Sequence, residues 1–311
     1  MSESAGAPRL LKASDGVPYV RRGAQNLAVN TAEGLRVLEL NKGLVSFENE
    51  TVGSPASAIT DSDIARHFAE HVVPRSEPEK WLRKQQLIVG DKPTVAGVVL
   101  FADIPQAILP KRCGIKIYRY KSSKAEGTRD TLVDLPMTVE GCAYDAIRDA
   151  VTATQEIINQ LQVLGPEGLI PVVYPPEAVH EVITNAVLHR DYGVADDVHI
   201  RIFDNRIEVE SPGRLPGHVT VKNILDERFA RNGNIVRVIN KFPDPPNKDV
   251  GEGLNTAFDA MRKLKLKDPV IEEGEASVMV IIRHERLASA EEIVLDYMNR
   301  TTPLRMVWHA L

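Results

Sequence analysis

Cysteine is scarce in this sequence, since only Cys113 and Cys142 occur among 311 residues. Two cysteines cannot build a disulfide framework, and these two lack the paired spacing of a zinc site. We therefore expect both to be reduced and buried. Long apolar runs are also missing, because the run at 95–101 ends well before the roughly 20 residues that a membrane-spanning helix requires. The first residues lack the basic and apolar segments of a secretory signal, so we expect a cytoplasmic protein with no membrane partner.

Basic residues do not predominate, because 38 Lys and Arg stand against 43 Asp and Glu, a net charge of -5. This balance argues against a chain coated with basic residues for nucleic acid, so DNA contact needs a local patch. The P-loop pattern Gly-x-x-x-x-Gly-Lys-Ser/Thr is absent, which argues against a P-loop helicase motor. What remains is the composition of a folded soluble protein, 43% apolar and 26% charged, with a length that suits roughly two or three domains.

Hydrophobic patterning in the first half of the chain predicts a series of short elements. The alternating run at 17–24 predicts an edge strand and turn, and residues 31–38 predict a capped helix. Strict alternation at 115–120 predicts a half-buried strand. Residues 93–101 are almost entirely apolar, and their periodicity leaves open a buried strand or a passage from helix to strand. Further helices are expected at 63–72, 78–90 and 138–162.

The second half of the chain predicts helices layered on a sheet, and the chain as a whole an α+β fold. Helices are expected at 177–188, 223–241 and 254–264, a hairpin at 198–210 and a strand at 276–283. This order suits a layer of helices on a mixed or antiparallel sheet. A capping box that begins at Ser289 predicts one more helix near the end.

Three polar side chains, Glu181, Asn185 and His189, follow one another at intervals of four and share one face of a predicted helix. Asn185 can offer an oxygen to Mg²⁺, a hard ion that prefers oxygen ligands. Glu181, one turn earlier, can orient or deprotonate a water molecule. A solvated helix face is the competing interpretation, and without further signals we favour it by about three to one.

Two glycine-containing turns follow this helix. Pro212 and Gly213 end the predicted hairpin in a tight loop, where the backbone can approach a ligand closely. Gly251, Gly253 and Leu254 form a Gly-x-Gly turn that opens onto a helix, and the free amide groups of a helix N-terminus suit phosphate. For this second turn, a simple helix entry is the alternative.

Taken in order, these motifs resemble those of the GHKL (Bergerat-fold) ATPases, a family that includes histidine kinases, 90-kDa chaperones and type II topoisomerase subunits. Glu181 and Asn185 match the N-box of the family, and the two glycine turns match its Gly boxes. The resemblance implies an α/β sandwich in which Asn185 holds Mg²⁺, Glu181 acts on the hydrolytic water, and residues 217–250 include a lid over ATP. The family reads adenine with an Asp in a D-x-G-x-G pattern, whereas this sequence has Glu210 followed by Ser-Pro-Gly.

A closer resemblance is to bacterial and archaeal proteins called RecG-like ATP-dependent helicases or transcriptional regulators, which combine a Schlafen-type AlbA domain with a degenerate GHKL ATPase. The motifs that carry it are residues 93–101 with 105–106, 185–192, 211–213 and 251–253. It implies a remnant of an AlbA-type DNA-binding domain at 1–50, a middle α/β linker region with a long helix at 51–165, a GHKL-like ATP-binding domain at 166–287 and the start of a truncated winged helix at 288–311.

The function that this resemblance implies is that of an ATP-binding, DNA-associated transcriptional regulator that uses nucleotide binding as a switch. ATP and Mg²⁺ would be its cofactors, DNA a partner, and homo-oligomerisation a further response. Weak ATP hydrolysis is compatible with this hypothesis. The competing hypothesis is a non-enzymatic DNA-binding or scaffold module with a vestigial nucleotide pocket.

Several polar residues near the predicted site can be interpreted in two ways. His189 and Arg190 either contact phosphate, which suits the planar guanidinium of Arg190, or end their helix by facing its dipole. Arg228, Arg231 and Asn232 precede a predicted helix and either reach the nucleotide or DNA or belong to a solvated surface. For these three we favour the solvated surface.

Overall fold

The computed structural model of the protein describes residues 10–22, 25–41, 46–73, 77–109, 112–165, 168–216, 219–227, 229–246 and 253–286. Within these ranges, helices pack on a mixed six-stranded sheet, so the predicted α+β class is confirmed. The helix predicted from Ser289 and the segment 288–311 lie outside the described residues. None of the helices in these ranges is long and apolar enough to cross a membrane.

The helices and strands of the described ranges are as follows. The helices are α1 (Ala32–Asn41), α2 (Ser57–Thr60), α3 (Asp63–Val72), α4 (Pro78–Lys84), α5 (Val95–Phe101), α6 (Pro105–Ile108), α7 (Ala143–Asn159), α8 (Pro176–Leu188), α9 (Gly233–Ile239) and α10 (Asn255–Lys263). The strands are β1 (Tyr19–Arg22), β2 (Gln25–Ala28), β3 (Ile88–Val89), β4 (Lys92–Pro93), β5 (Ile115–Arg119), β6 (Met137–Val139), β7 (Gln162–Gly165), β8 (Gly168–Pro171), β9 (Val198–Ile202), β10 (Arg206–Pro212), β11 (Val270–Glu273) and β12 (Ser277–Arg283).

The central sheet has the strand order β11-β12-β10-β9-β5-β6. Its neighbouring strands are antiparallel except for β5 and β9, which run parallel. Parallel neighbours need a long crossover connection, and the one between β5 and β9 contains α7 and α8. These two helices pack against each other, α7 also against β5 and α8 also against β10. Because β5 and β6 precede residue 166, the sheet crosses the boundary that the sequence analysis places between 165 and 166. The four domain ranges stay predictions.

Alternation along the strands places one face of the sheet in the core. Ile115 and Ile117 of β5 are each 2% exposed, as is Val209 of β10, and Ile200 of β9 is fully buried. The residue between the two isoleucines, Lys116, is only half-buried. Successive strand residues point to opposite faces of a sheet, so the aliphatic side chains meet the helices and the polar ones line the other face. The predicted half-buried strand is confirmed.

Residues 95–101 form helix α5, just after the short strand β4, so neither alternative predicted for 93–101, a buried strand or a passage from helix to strand, is confirmed. Thr94 caps it, because its hydroxyl oxygen accepts a hydrogen bond from the backbone amide of Gly97 at 3.2 Å. All seven residues of α5 are buried. A helix surrounded by protein has no polar face, and its 3.6-residue period therefore leaves no trace in the sequence.

Two predicted helices are wrong at their ends. The helix expected at 78–90 ends at Lys84, where α4 stops. The helix expected at 138–162 begins only at Ala143, because residues 137–139 pair with β5 as strand β6. The competing strand pairing is a tertiary contact, so local periodicity does not reveal it.

The helix predicted at 223–241 is reduced to α9, and residues 221–226 form turns instead. The start of α9 is set by Glu48, whose two carboxylate oxygens accept hydrogen bonds from the amides of Asn234 and Ile235, each at 2.9 Å. Glu48 is 2% exposed. A buried acid from a distant segment thus replaces the local capping residue that the sequence would show.

The other predicted elements are confirmed to within about two residues at most of their ends. They are β1, α1, α3, α8, the β9–β10 hairpin, α10 and β12. In α1 the hydroxyl oxygen of Thr31 accepts a hydrogen bond from the amide of Gly34 at 3.0 Å, which is the expected cap. Both cysteines are free, with Cys142 buried as predicted and Cys113 half-buried. Burial raises the pKa of Cys142 to about 12.

An aromatic cluster joins the helices between residues 57 and 109 to helix α7, which packs on the central sheet. Phe68 and Phe101 lie on one side of it, and Phe242, just after α9, lies between them and Tyr144 of α7. The ring centroid of Phe242 lies 4.7 Å from that of Phe68, 5.6 Å from that of Phe101 and 4.8 Å from that of Tyr144. Pairs at such distances contribute about 0.5–1.5 kcal/mol beyond the area they bury. The cluster therefore anchors the end of α9 close to α7.

Candidate functional site

Helix α8 carries the polar stripe that the sequence predicts. Glu181, Asn185 and His189 are half-buried, whereas Val182 and Ile183 beside them are at most 1% exposed. The apolar residues hold one side of the helix against α7 and the sheet, which turns the polar side outward. The stripe is thus a consequence of how α8 is packed.

The two central members of the stripe are hydrogen-bonded to each other. The amide nitrogen Nδ2 of Asn185 donates to Oε1 of Glu181 at 2.8 Å. This bond fixes which end of the carboxamide faces the acid, and no donor among the described residues occupies the carboxamide oxygen Oδ1. Asn185 therefore has one oxygen available for an outside partner, the atom type that Mg²⁺ prefers.

Burial raises the pKa of Glu181 above its usual range, and the hydrogen bond from Asn185 opposes that rise. A carboxylate with a raised pKa is a stronger base than an exposed one. This environment suits a group that takes a proton from water.

His189 ends the stripe as a neutral side chain. Burial, with a smaller contribution from the positive charge of Arg231, lowers its pKa to about 4. At neutral pH the imidazole therefore offers one donor and one acceptor, with no positive charge. Its backbone amide donates to the carbonyl of Asn185 at 2.9 Å and closes the helix.

Arg190, the next residue, turns into the protein and is 1% exposed. Its Nη2 donates to the carbonyls of Arg112 at 3.0 Å, Val194 at 3.4 Å and Asp196. Its guanidinium carbon lies 5.0 Å from the ring centroid of Tyr192. These contacts hold the loop after α8 against the residues just before β5. They fit a structural role for Arg190 better than a contact with phosphate.

The turn at Pro212 and Gly213 is joined to the same loop. The amide of Asp191 donates to the carbonyl of Pro212, and the amide of Gly213 donates to the carbonyl of Ala276, both at 2.7 Å. Gly213 has a φ of +102°, and a Cβ placed on it would lie 2.5 Å from the Cβ of Asp191. Only glycine permits both this backbone angle and this close approach. The first glycine turn therefore lies beside the end of the polar stripe.

Arg231 and Asn232 are not the solvated surface that the sequence analysis favours. Nδ2 of Asn232 donates to the carbonyls of Leu188 at 2.9 Å and Arg190 at 2.8 Å, and so caps the end of α8. Nη1 of Arg231 forms an ion pair with Oδ2 of Asp191 at 3.0 Å. The local sequence gives no sign of either contact, except that both residues stand just ahead of a helix. Arg228 lies outside the described residues.

The second glycine turn is described in part. Gly251 lies outside the described residues, whereas Gly253, with a φ of +43°, and Leu254 lead directly into α10. Helix α10 packs against α8. The start of α10 thus belongs to the same helical layer as the polar stripe.

Glu210 stands in the stretch where the predicted GHKL resemblance would put an adenine-reading Asp, and its carboxylate is already occupied. Oε1 accepts from the hydroxyl of Ser277 and Oε2 from Nη2 of Arg201, each at 2.6 Å. The next residue, Ser211, donates to the carbonyl of Ala186 in α8. Since neighbouring strand residues point to opposite faces, Glu210 faces away from α8.

Within the described residues, no group of three or more His, Cys, Asp or Glu side chains is placed to hold a metal ion. A site with a single protein oxygen, completed by phosphates and water, is the arrangement that Mg²⁺ commonly adopts with nucleotides. The donor set of the stripe fits that arrangement.

Comparison with known proteins bears on this region of the chain. Residues 195–282 match the family model described as "Putative ATP-dependent DNA helicase recG C-terminal". This part of the chain resembles an ATPase-like domain. The match runs from just before β9 into β12, supports a relationship to RecG-related proteins and suggests nucleotide binding; it does not include α8. No curated protein matches the chain.

A solved structure shares the fold. The crystal structure of the DIP2311 protein from Corynebacterium diphtheriae matches with a TM-score of 0.57 and 19% sequence identity. The match covers 88% of this chain and 46% of that protein, so the chain spans about half the length of this relative. At this identity, the likeness concerns the fold alone.

Proposed function

We propose that the protein binds Mg-ATP at the polar stripe of α8 and uses nucleotide binding as a switch in a DNA-associated, transcription-regulating role. The observation that carries the proposal is the pair Glu181 and Asn185, in which one hydrogen bond leaves the Asn185 oxygen available. The match of residues 195–282 to an ATPase-like domain supports it independently, because that match does not include α8.

Each residue of the site has a role in this proposal. Asn185 holds the metal through Oδ1, and Glu181, whose pKa is raised, accepts a proton from water where hydrolysis occurs. His189 serves as a neutral hydrogen-bonding group near phosphate. The turn at Pro212 and Gly213 lines the site, with the Gly213 amide already engaged by the carbonyl of Ala276, whereas Gly251, Gly253 and Leu254 would offer backbone amides to phosphate. Bound Mg²⁺ supplies the charge that draws electron density from the phosphate oxygens.

The second candidate function is a DNA-binding or scaffold module whose nucleotide pocket is vestigial. The occupied carboxylate of Glu210 favours it, because the family's adenine contact then has no counterpart at this position. Adenine selection and metal-phosphate binding are separable, so the two candidates differ first in affinity for Mg-ATP.

Calorimetric titration with Mg-ATP tests the proposal. We expect Asn185→Ala to weaken binding by about 10- to 100-fold, the loss of one contact to a charged group. Asn159→Ala, which removes an exposed asparagine at the end of α7, is the matched control and keeps wild-type affinity. Glu181→Ala keeps binding while any turnover falls by about 100-fold.

Two results would count against the proposal. Negligible binding in both the wild type and Asn185→Ala favours the scaffold. Equal Mg-ATP and metal-free ATP affinities remove the metal role of Asn185. The switch is tested separately by titrating duplex DNA with and without Mg-ATP, and an unchanged DNA affinity would reject that part.

A further inference from the structure

An ion pair borders the polar stripe and takes no part in the roles above. Nη1 of Arg231 lies 3.0 Å from Oδ2 of Asp191, and the two side chains are 15% and 22% exposed. Nη2 of Arg231 donates to the carbonyl of Arg214. One guanidinium thus holds both the loop after α8 and the chain just after the first glycine turn.

The backbone of Arg231 is held more firmly than its side chain. Its carbonyl accepts a hydrogen bond from the hydroxyl of Ser46 at 3.0 Å. The next residue, Asn232, is 1% exposed and caps α8, and Glu48 caps the start of α9. With its own carbonyl and the residues after it held in place, Arg231 can exchange the partner of its guanidinium while the start of α9 stays fixed.

The charge of Arg231 already reaches the stripe. Arg231 is paired with Asp191, two residues after His189, and its charge contributes to the lowered pKa of His189. Burial lowers the pKa of Arg231 itself, and Asp191 opposes that effect. Among the described residues, Asp191 is the one carboxylate paired with Arg231. A partly desolvated cation of this kind gains when a group with more negative charge replaces its partner. Arg190 does not take this role, because it is 1% exposed and its Nη2 holds backbone carbonyls, although its Nε and Nη1 have no hydrogen-bond partner among the described residues.

We infer that Arg231 contacts the terminal phosphate of a bound nucleoside triphosphate, exchanging the carboxylate of Asp191 for phosphate oxygens. The inference rests on the proposed function and adds to it a preference for triphosphate over diphosphate. A guanidinium fork matches phosphate geometry in two parallel hydrogen bonds. Because the same side chain holds the carbonyl of Arg214, the exchange also changes how the described residues between the two arginines, 215–216, 219–227 and 229–230, are held.

The test compares Mg-ATP with Mg-ADP in calorimetric titrations of each variant. We expect Arg231→Gln to lower ATP affinity by about tenfold or more while ADP affinity changes little, so the ATP-to-ADP ratio falls. Arg262→Gln, which removes an exposed arginine paired with Asp268, is the matched control and keeps the ratio. Hydrogen exchange of residues 219–227 gives a second readout. We expect the exchange rate of these residues to differ between the ATP-bound and ADP-bound wild type, and to be the same with both nucleotides in Arg231→Gln.

Each result assigns the failure to one proposal. If the wild type binds Mg-ATP and Arg231→Gln keeps the wild-type ratio, the inference is overturned and the proposed function stands. If the wild type binds neither nucleotide, the proposed function fails, and the inference fails with it. Should Arg231→Gln not fold, Arg231→Lys keeps the charge without the fork. It is expected to lose part of the ATP preference, and an unchanged ratio there overturns the inference equally.

Discussion

Two neighbouring stretches of the chain, the polar stripe of α8 and the loop that follows it, have opposite environments. In the stripe, Asn185 lies half-buried with an oxygen that no described residue engages. One residue after the stripe ends at His189, Arg190 is 1% exposed and its Nη2 faces three backbone carbonyls. Residues that stand side by side in a motif thus differ in whether a ligand can reach them, because Nε and Nη1 of Arg190 have no hydrogen-bond partner among the described residues but are buried. Hydrogen-bonding capacity and access both have to be judged atom by atom.

The comparison extends to the two arginines near the site. Arg190 donates to backbone carbonyls and has no carboxylate partner within the described residues. Arg231, 15% exposed in its side chain, is paired with the carboxylate of Asp191, which is itself 22% exposed. Partner type and exposure therefore separate a residue that holds the fold from one that can respond to a ligand.

The largest effect that sharpens this comparison is expected from Arg190→Ala. Removing the side chain leaves a cavity and three carbonyls without their donor, and we expect the free energy of unfolding to fall by about 3 kcal/mol or more. Urea denaturation measures the change. Arg66→Ala, at an arginine whose side chain is 59% exposed, is the control and changes stability by less than about 0.5 kcal/mol. A normal stability combined with lost Mg-ATP affinity would break the comparison, because Arg190 would then serve the ligand.

A somewhat smaller effect is expected where the inward loop meets the first glycine turn. Gly213→Ala forces a Cβ to within 2.5 Å of the Cβ of Asp191 at a φ of +102°, and we expect a loss of about 2–3 kcal/mol. Gly90→Ala is the control, because Gly90 has a φ of +60° with nothing within 4 Å of its added Cβ. It should cost only about 1 kcal/mol. Equal losses in thermal unfolding would show that the contact with Asp191 contributes nothing.

A third effect, the smallest per pH unit, is a pH dependence that belongs to the stripe. His189 has a folded pKa of about 4 against 6.5 for the free side chain, so between these values the unfolded chain binds more protons. Stability is therefore lost as pH falls from about 6.5 to 4, by up to about 1.4 kcal/mol per pH unit. His189→Gln removes this slope. Denaturant titrations of both proteins from pH 7 to pH 4 give the difference, and parallel curves would refute the burial of a neutral imidazole.

The elements that were predicted correctly are those whose evidence is local. Helix α8 and the β9–β10 hairpin follow from periods of 3.6 and 2 residues, and each has one face in the core and one outside. The alignment of Glu181 with Asn185 follows from the same period. Helix α5 could not be assigned in this way, because burial on all sides removes the polar face that makes a period visible.

The missed contacts near the site share a different property. The sequence favours a solvated surface for Arg231 and Asn232, whereas both are held by residues that lie far along the chain. The sequence also predicts a helix over 223–241, of which α9 is the part that forms, since the cap of α9 comes from Glu48. Residue type and neighbours alone do not distinguish such positions from exposed ones.

The sequence by itself determined the α+β class, the polar stripe and the glycine turns, because helical and strand periods and turn residues act within a few positions of the chain. Tertiary structure alone decided which of these polar groups keep capacity for a ligand. Arg231 meets Asp191 across 40 positions, and Glu48 meets Ile235 across 187. Such contacts form only when the packed core brings distant segments together, and that packing depends on the whole chain at once.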